Sequence, residues 1–117
     1  KSVAVKTASM SATYAESLAD QYGFTVTYFE DSPTMYQAVV GGQVAACFDD
    51  TPIMASNIKD TGIGMEIIDG TGNDPAAYGF AIFNADNQEL IDMFNKGLAN
   101  IKANGTYDEI IAKYLGE

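Results

Sequence analysis

Two short stretches hold the residues best suited to chemistry. The first is Ala45-Ala46-Cys47-Phe48-Asp49-Asp50-Thr51-Pro52, an apolar run that ends in two carboxylates and passes straight into a helix start. Pro52 suits a first helical position, and Thr51 before it reads as a hydroxyl cap. If 45–48 is a buried strand, Asp49 and Asp50 stand at its carboxyl end, the edge of an open α/β sheet where ligands bind. A fixed negative charge there suits an ammonium, a metal ion or a proton in transfer. The second stretch is Lys6-Thr7-Ala8-Ser9-Met10-Ser11, small and hydroxyl residues between a β-branched run and a helical pattern. Backbone N–H groups at such a helix head hold an anion, a carboxylate being the simplest. The glycines of a Walker A or GxGxxG loop are missing.

Together the two turns complement a zwitterion. An anion cradle after one strand and a fixed carboxylate after its neighbour match the two ends of an amino acid, with Lys6 able to reach a side-chain carbonyl or carboxylate. Plainer readings stand beside this one. Asp50 suits the N-terminal dipole of the helix it precedes, the Ser9 turn suits a simple helix cap, and Lys6 suits a solvated surface. A glycosidase-type carboxylate pair needs a gap that adjacent residues lack, and no loop has EF-hand spacing for a metal.

The elements that must position these turns are legible as alternating periods. The pattern predicts strands over 2–7, 24–29, 44–48 and 65–68. Helices are expected over 11–22, from Ser32-Pro33 to Gly41-Gly42, and over 52–59. Asp69-Gly70-Thr71-Gly72-Asn73-Asp74-Pro75 is a dense cluster of breakers and the one linker candidate. Beyond it 78–83 reads as a strand. Asp86-Asn87-Gln88-Glu89 has capping-box spacing before a helix with Leu90, Phe94, Leu98 and Ile101 on one face, ended by Gly105. A second box, Thr106-Tyr107-Asp108-Glu109, opens a stripe of Tyr107, Ile110, Ile111, Tyr114 and Leu115. Strands alternating with helices predict an α/β fold: an open, mostly parallel sheet with right-handed crossovers and helices on both faces, followed by two C-terminal helices.

Composition narrows the function. The 117 residues, 47% hydrophobic, suit one domain with a modest core. A net charge of −10 disfavours nucleic acid and anionic membranes as partners. With no histidine and one cysteine, Cys47, neither a Ser-His-Asp nor a Cys-His set can form. No catalytic residues, metal or cofactor are expected. Lys1-Ser2-Val3 reads as the start of a strand rather than a leader, as in a processed or excised chain.

Val3-Ala4-Val5-Lys6-Thr7-Ala8-Ser9-Met10-Ser11 with Tyr14 resembles the second lobe of polar amino-acid-binding proteins of ABC transporters, the type II periplasmic-binding fold, and within it the glutamine-binding members. Met35-Tyr36-Gln37-Ala38-Val39, Asp50-Thr51-Pro52, Tyr78-Gly79-Phe80-Ala81-Ile82 and Asn104-Gly105-Thr106-Tyr107-Asp108-Glu109-Ile110 match further family pieces in order, so the resemblance spans essentially the whole chain. It implies that Asp50 pairs with the ligand α-ammonium, that Lys6 contacts the ligand side chain, that Ser9 and Met10 meet the α-carboxylate, and that Asp49 lies near the ligand side chain. It further implies that 1–74 is second-lobe α/β domain. Residues 75–117 would then be a hinge strand and helices that return to a first lobe, with Asp74, Pro75, Ala76, Ala77 and Tyr78 at the hinge.

The implied protein is extracytoplasmic (periplasmic, a cell-surface lipoprotein, or fused to its permease). It holds a free polar amino acid, glutamine foremost, between two lobes and presents it to an ABC permease. Two departures stand out. Ala8 and Met10 occupy positions where glycines are usual, and a positive φ there costs about 1 kcal/mol or more. The first lobe, with its aromatic walls and carboxylate-clamping arginine, is missing, so the C-terminal stripe needs other cover and concentrated samples are expected to be dimeric. A same-fold sensor domain of a receptor is the main rival. A receiver-like domain fits less well, because Lys6-Thr7 stands where an acidic pair is needed and Asn84-Ala85 where a lysine is needed.

Overall fold

The computed structural model describes residues 1–73 and 78–115. They fall into two compact units, Lys1–Asn73 and Asp74–Glu117. In the first, three strands alternate with three helices: β1 (Ser2–Lys6), α1 (Met10–Tyr22), β2 (Thr25–Phe29), α2 (Ser32–Val40), β3 (Ala46–Phe48) and α3 (Thr51–Thr61). The sheet order is β2-β1-β3, all parallel, with Val3 opposite Val26 on one side and Val5 opposite Phe48 on the other. β1 is therefore the central strand, and Val3, Ala4 and Val5 are buried accordingly.

Alternation along β1 sends successive side chains to opposite faces. Ala4 joins a core with Met35, Tyr36 and Ala38 of α2, Val44, and Met54 of α3. Val5 joins Ala12 and Ala15 of α1, with Val26 and Phe48 against them. Helices thus cover both faces, as the alternating pattern requires. α1 starts where Ser9 Oγ accepts the Ala12 N–H at 3.1 Å and stops at Gly23, whose φ of 66° only glycine adopts readily. α2 starts at Asp31, whose carboxylate accepts the Thr34 N–H at 2.8 Å.

Several expectations are corrected. No strand forms over 65–68. The Met65 N–H donates to the Ile63 carbonyl at 2.7 Å, which folds the backbone into a tight turn. A cavity of about 410 Å³, lined by Ala46, Cys47, Phe48, Met65, Ile67 and Ile68 among others, separates this segment from β3. A strand needs a ladder partner, and the gap denies it one. Nor is 78–83 a strand among the described residues: Tyr78 and Phe83 are exposed, and their unit holds no strand to pair with. α3 begins at Thr51 with Asp50 in the cap position, so Thr51 is not the cap.

The second unit contains a 3₁₀ turn (Ala85–Asn87), α4 (Gln88–Ala103) and α5 (Thr106–Leu115). Neither capping box forms as expected. Asn84 Oδ1 accepts the Asp86 N–H, Asn87 caps α4 without a side-chain bond, and Asn104 Oδ1 accepts the Thr106 N–H. Asparagine competes well for these roles, because its short amide bonds the backbone two residues on. Phe80 stacks on Phe94 at 4.4 Å, and Lys102 lies over the Tyr107 ring. Leu90, Met93, Phe94, Ile110 and Tyr114 are nonetheless exposed. Of the expected hinge, Asp74, Pro75, Ala76 and Ala77 lie outside the described residues.

Met35 is fully buried between α2 and β1. Met35→Ala is expected to lower unfolding free energy by about 2–5 kcal/mol in urea titration. A loss below that range would mean the α2 face collapses readily into the space left behind.

Candidate functional site

Parallel pairing of β1 with β3 brings the two chemical turns to one edge of the sheet. Val5–Phe48 is the last bridged pair, so Lys6 and Asp49 follow directly at the ends of neighbouring strands, about 4.8 Å apart by ladder spacing. The turn 7–9 leads into α1 and Asp50 into α3, so two helix N-termini open toward the same edge.

The turn after β1 is built by its own hydroxyls. The Ser9 hydroxyl donates to the Lys6 carbonyl at 2.7 Å and accepts the Ala12 N–H, while the Thr7 N–H and hydroxyl both donate to the Phe29 carbonyl. Ser9 Oγ is therefore the cap of α1. The N–H groups of Met10 and Ser11, in the first turn, have no intrahelical acceptor. Ala8 takes φ 56° and is the one non-glycine residue with positive φ among those described. The backbone does adopt there the conformation for which glycine is suited. Met10 is helical and its side chain is exposed, so glycine is not needed at that position.

The turn after β3 is held from behind. Asp49 Oδ2 accepts the Ser32 hydroxyl at 2.6 Å and the Tyr36 hydroxyl at 2.7 Å, while Oδ1 accepts the Asp50 N–H at 2.9 Å. Ser32 and Tyr36 are buried one helical turn apart on α2. Burial, then the Asp49 hydrogen bond, raises the Tyr36 phenol above its ordinary value. Burial, with the Asp49 charge second, pushes the Cys47 thiol up to about 11. Asp50 is exposed and, although it occupies the cap position of α3, its carboxylate makes no cap bond. Among the described residues no hydrogen bond or ion pair engages the Asp50 carboxylate or the Lys6 ammonium. Tyr14 meets Phe48 edge-on at 5.6 Å and its hydroxyl donates to the Thr71 carbonyl.

Sequence reasoning brought Lys6, Ser9, Met10, Asp49 and Asp50 to this edge. It missed Ser32 and Tyr36 as the support of Asp49. The available signal was their four-residue spacing on a helix whose start follows the second strand, opposite the third. Among the described residues no group of three or more His, Cys, Asp or Glu is arranged to hold a metal, and no helix is long and apolar enough to cross a membrane.

Residues 2–117 match the bacterial extracellular solute-binding proteins, family 3, and the chain belongs to that family. It is 33% identical over 81 residues to an arginine-binding periplasmic protein of Mannheimia haemolytica, covering 67% of this chain and 34% of that one. Substrate-binding domain 2 of Lactococcus lactis GlnP, in an open conformation, superposes with a TM-score of 0.72 at 41% identity, over 100% of this chain and 50% of that one. An ancestral arginine-binding protein bound to arginine superposes with a TM-score of 0.77 at 29% identity, over 98% and 50%. The chain thus spans about half the length of those structures and a third of the curated relative. These relatives are solute-binding proteins, not enzymes.

The positive φ at Ala8 stores roughly 1–2 kcal/mol of strain. Ala8→Gly relieves it but frees the unfolded chain, so the expected net gain is about 0.5–1 kcal/mol in denaturant unfolding. Destabilisation by that substitution would show that the turn is not left-handed in solution.

Proposed function

We propose that this chain supplies the second lobe of an extracytoplasmic solute-binding protein that holds a polar amino acid between two lobes for an ABC-type importer. The observation that carries the reading is Asp50: a carboxylate at the tip of β3, exposed and unspent on its own helix, beside a turn at the tip of β1 in which Ala8 takes a positive φ. In this reading Asp50 takes the α-ammonium. The α-carboxylate lies against the turn at Ser9 and Met10, where the Ser9 cap holds the helix head open and backbone N–H groups donate. Lys6 faces the ligand side chain.

The charge of Lys6 bears on which amino acid fits. Its ammonium favours a carbonyl or carboxylate and repels a guanidinium, so glutamine is proposed over the arginine named for two relatives. A first lobe buries the other side of the ligand. Closure turns on the segment Asp74, Pro75, Ala76, Ala77 and Tyr78, and the closed form is presented to a permease. Attachment by a lipid or by fusion to the permease is compatible with this role, as is a same-fold receptor sensor; the family match gives no support to a receiver-like domain. The exposed apolar faces of α4 and α5, with Leu90, Met93, Phe94, Ile110 and Tyr114, are covered in the isolated chain by a second copy.

A charge-assisted contact at Asp50 is worth roughly 1.5–3 kcal/mol. Asp50→Ala in the two-lobe protein should therefore weaken glutamine binding tenfold or more in calorimetry, with an unchanged affinity refuting the assigned role. A thermal-shift screen of the twenty amino acids should rank glutamine above arginine; arginine on top would reverse the reading of Lys6. Light scattering of the isolated chain at high concentration should give a dimer, and a monomer there removes the second-copy interface.

A further inference from the structure

The Asp49 carboxylate is the best-anchored charged group in the site, and every hydrogen bond it makes among the described residues is to the fold itself. We infer that Asp49 is a positioning residue: braced by Ser32 and Tyr36, it grips the Asp50 backbone N–H and so keeps the Asp50 carboxylate free for the ligand ammonium. The inference rests on the role proposed above for Asp50.

Three caps in the same unit carry the reasoning. An Asp or Ser in the cap position ordinarily turns its side chain back onto the first helical turn. Ser9 does so toward Ala12, and Asp31 toward Thr34. Asp50 does not. Its backbone differs as well, with φ −63° against −103° at Ser9 and −142° at Asp31. What distinguishes Asp50 is the residue before it. Its N–H is held by Asp49 Oδ1 at 2.9 Å, which ties the cap residue to the end of β3 rather than leaving it to settle on α3.

The grip is stiff because Asp49 is not free to follow. Its other oxygen takes two hydroxyls, from Ser32 and Tyr36, which are buried on successive turns of α2. The chain of contacts runs from the α2 core through a carboxylate to the backbone of the ligand-facing residue. A carboxylate takes all three donors at once, the two hydroxyls on Oδ2 and the N–H on Oδ1. An amide at 49 keeps the Asp50 N–H only if its NH2 faces Ser32 and Tyr36, whose hydroxyls must then turn to accept, and neutral bonds replace charge-assisted ones.

The test is a double-substitution cycle for glutamine binding in the two-lobe protein, with unfolding midpoints measured alongside. Asp49→Asn should weaken binding by about tenfold in the parent protein and cause no further loss when added to Asp50→Asn. Tyr36→Phe, which keeps the buried ring, should reproduce a smaller part of that loss and guards against a failure of Asp49→Asn to fold. Additive losses would make Asp49 a direct ligand contact and overturn the inference. A lowered unfolding midpoint with unchanged affinity would make it purely structural and overturn it equally. In the ¹⁵N-labelled chain the Asp50 amide proton should resonate downfield and move upfield in Asp49→Asn; a signal that does not move there refutes the grip itself. If Asp50→Asn alone binds as tightly as the parent, the ligand role of Asp50 falls first, a failure told apart because no change at 49 is involved.

Discussion

The parallel ladder between β1 and β3 is the constraint on which the site depends. Because the two strands run the same way and share the Val5–Phe48 rung, whatever follows each must emerge at one edge. Neither turn needs to be conserved in shape for this to hold; the ladder alone fixes their proximity. The core then enforces the ladder. Ala4 and Val5 face different helices, so a one-residue slip of β1 would exchange its two buried faces and expose apolar surface on both. Position at the rim is thus underwritten by packing in the interior.

Around that frame, charges are sorted by commitment. Asp31 and Asp49 are used by the fold, one as a helix cap and the other as an acceptor for two buried hydroxyls. Asp50 sits in a cap position and declines the capping bond. A helix that forgoes its usual cap gives up about 1 kcal/mol, and Ala8 adds backbone strain at the facing turn. Two such local costs on one rim are the pattern expected where binding, rather than stability, set the residues.

The first unit was legible from sequence because its signals are redundant. β1, α1, β2 and α2 each carry the right period together with a cap or breaker at the end, and the meeting of the two turns at one edge followed from strand order alone. The failures came where a single signal stood unsupported. Residues 65–68 and 78–83 have strand-like composition, but a strand is half of a pair, and no composition shows whether the partner is present. The capping boxes failed for a related reason: nearby Asn84 and Asn104 compete for the same N–H groups. The Ser32–Tyr36–Asp49 cluster joins residues 13 and 17 apart in sequence, a distance at which periodicity is silent and only the folded topology speaks.

Cys47 lies one strand residue from this rim, and its surroundings bear on oxidative chemistry. Members of an extracellular family meet oxidants, and a lone thiol there invites mixed disulfides. With the thiol pushed up to about 11 by burial and by the neighbouring Asp49 charge, the reactive thiolate is scarce at neutral pH. Burial first, and the carboxylate that steadies the rim second, keep this sulfur chemically quiet.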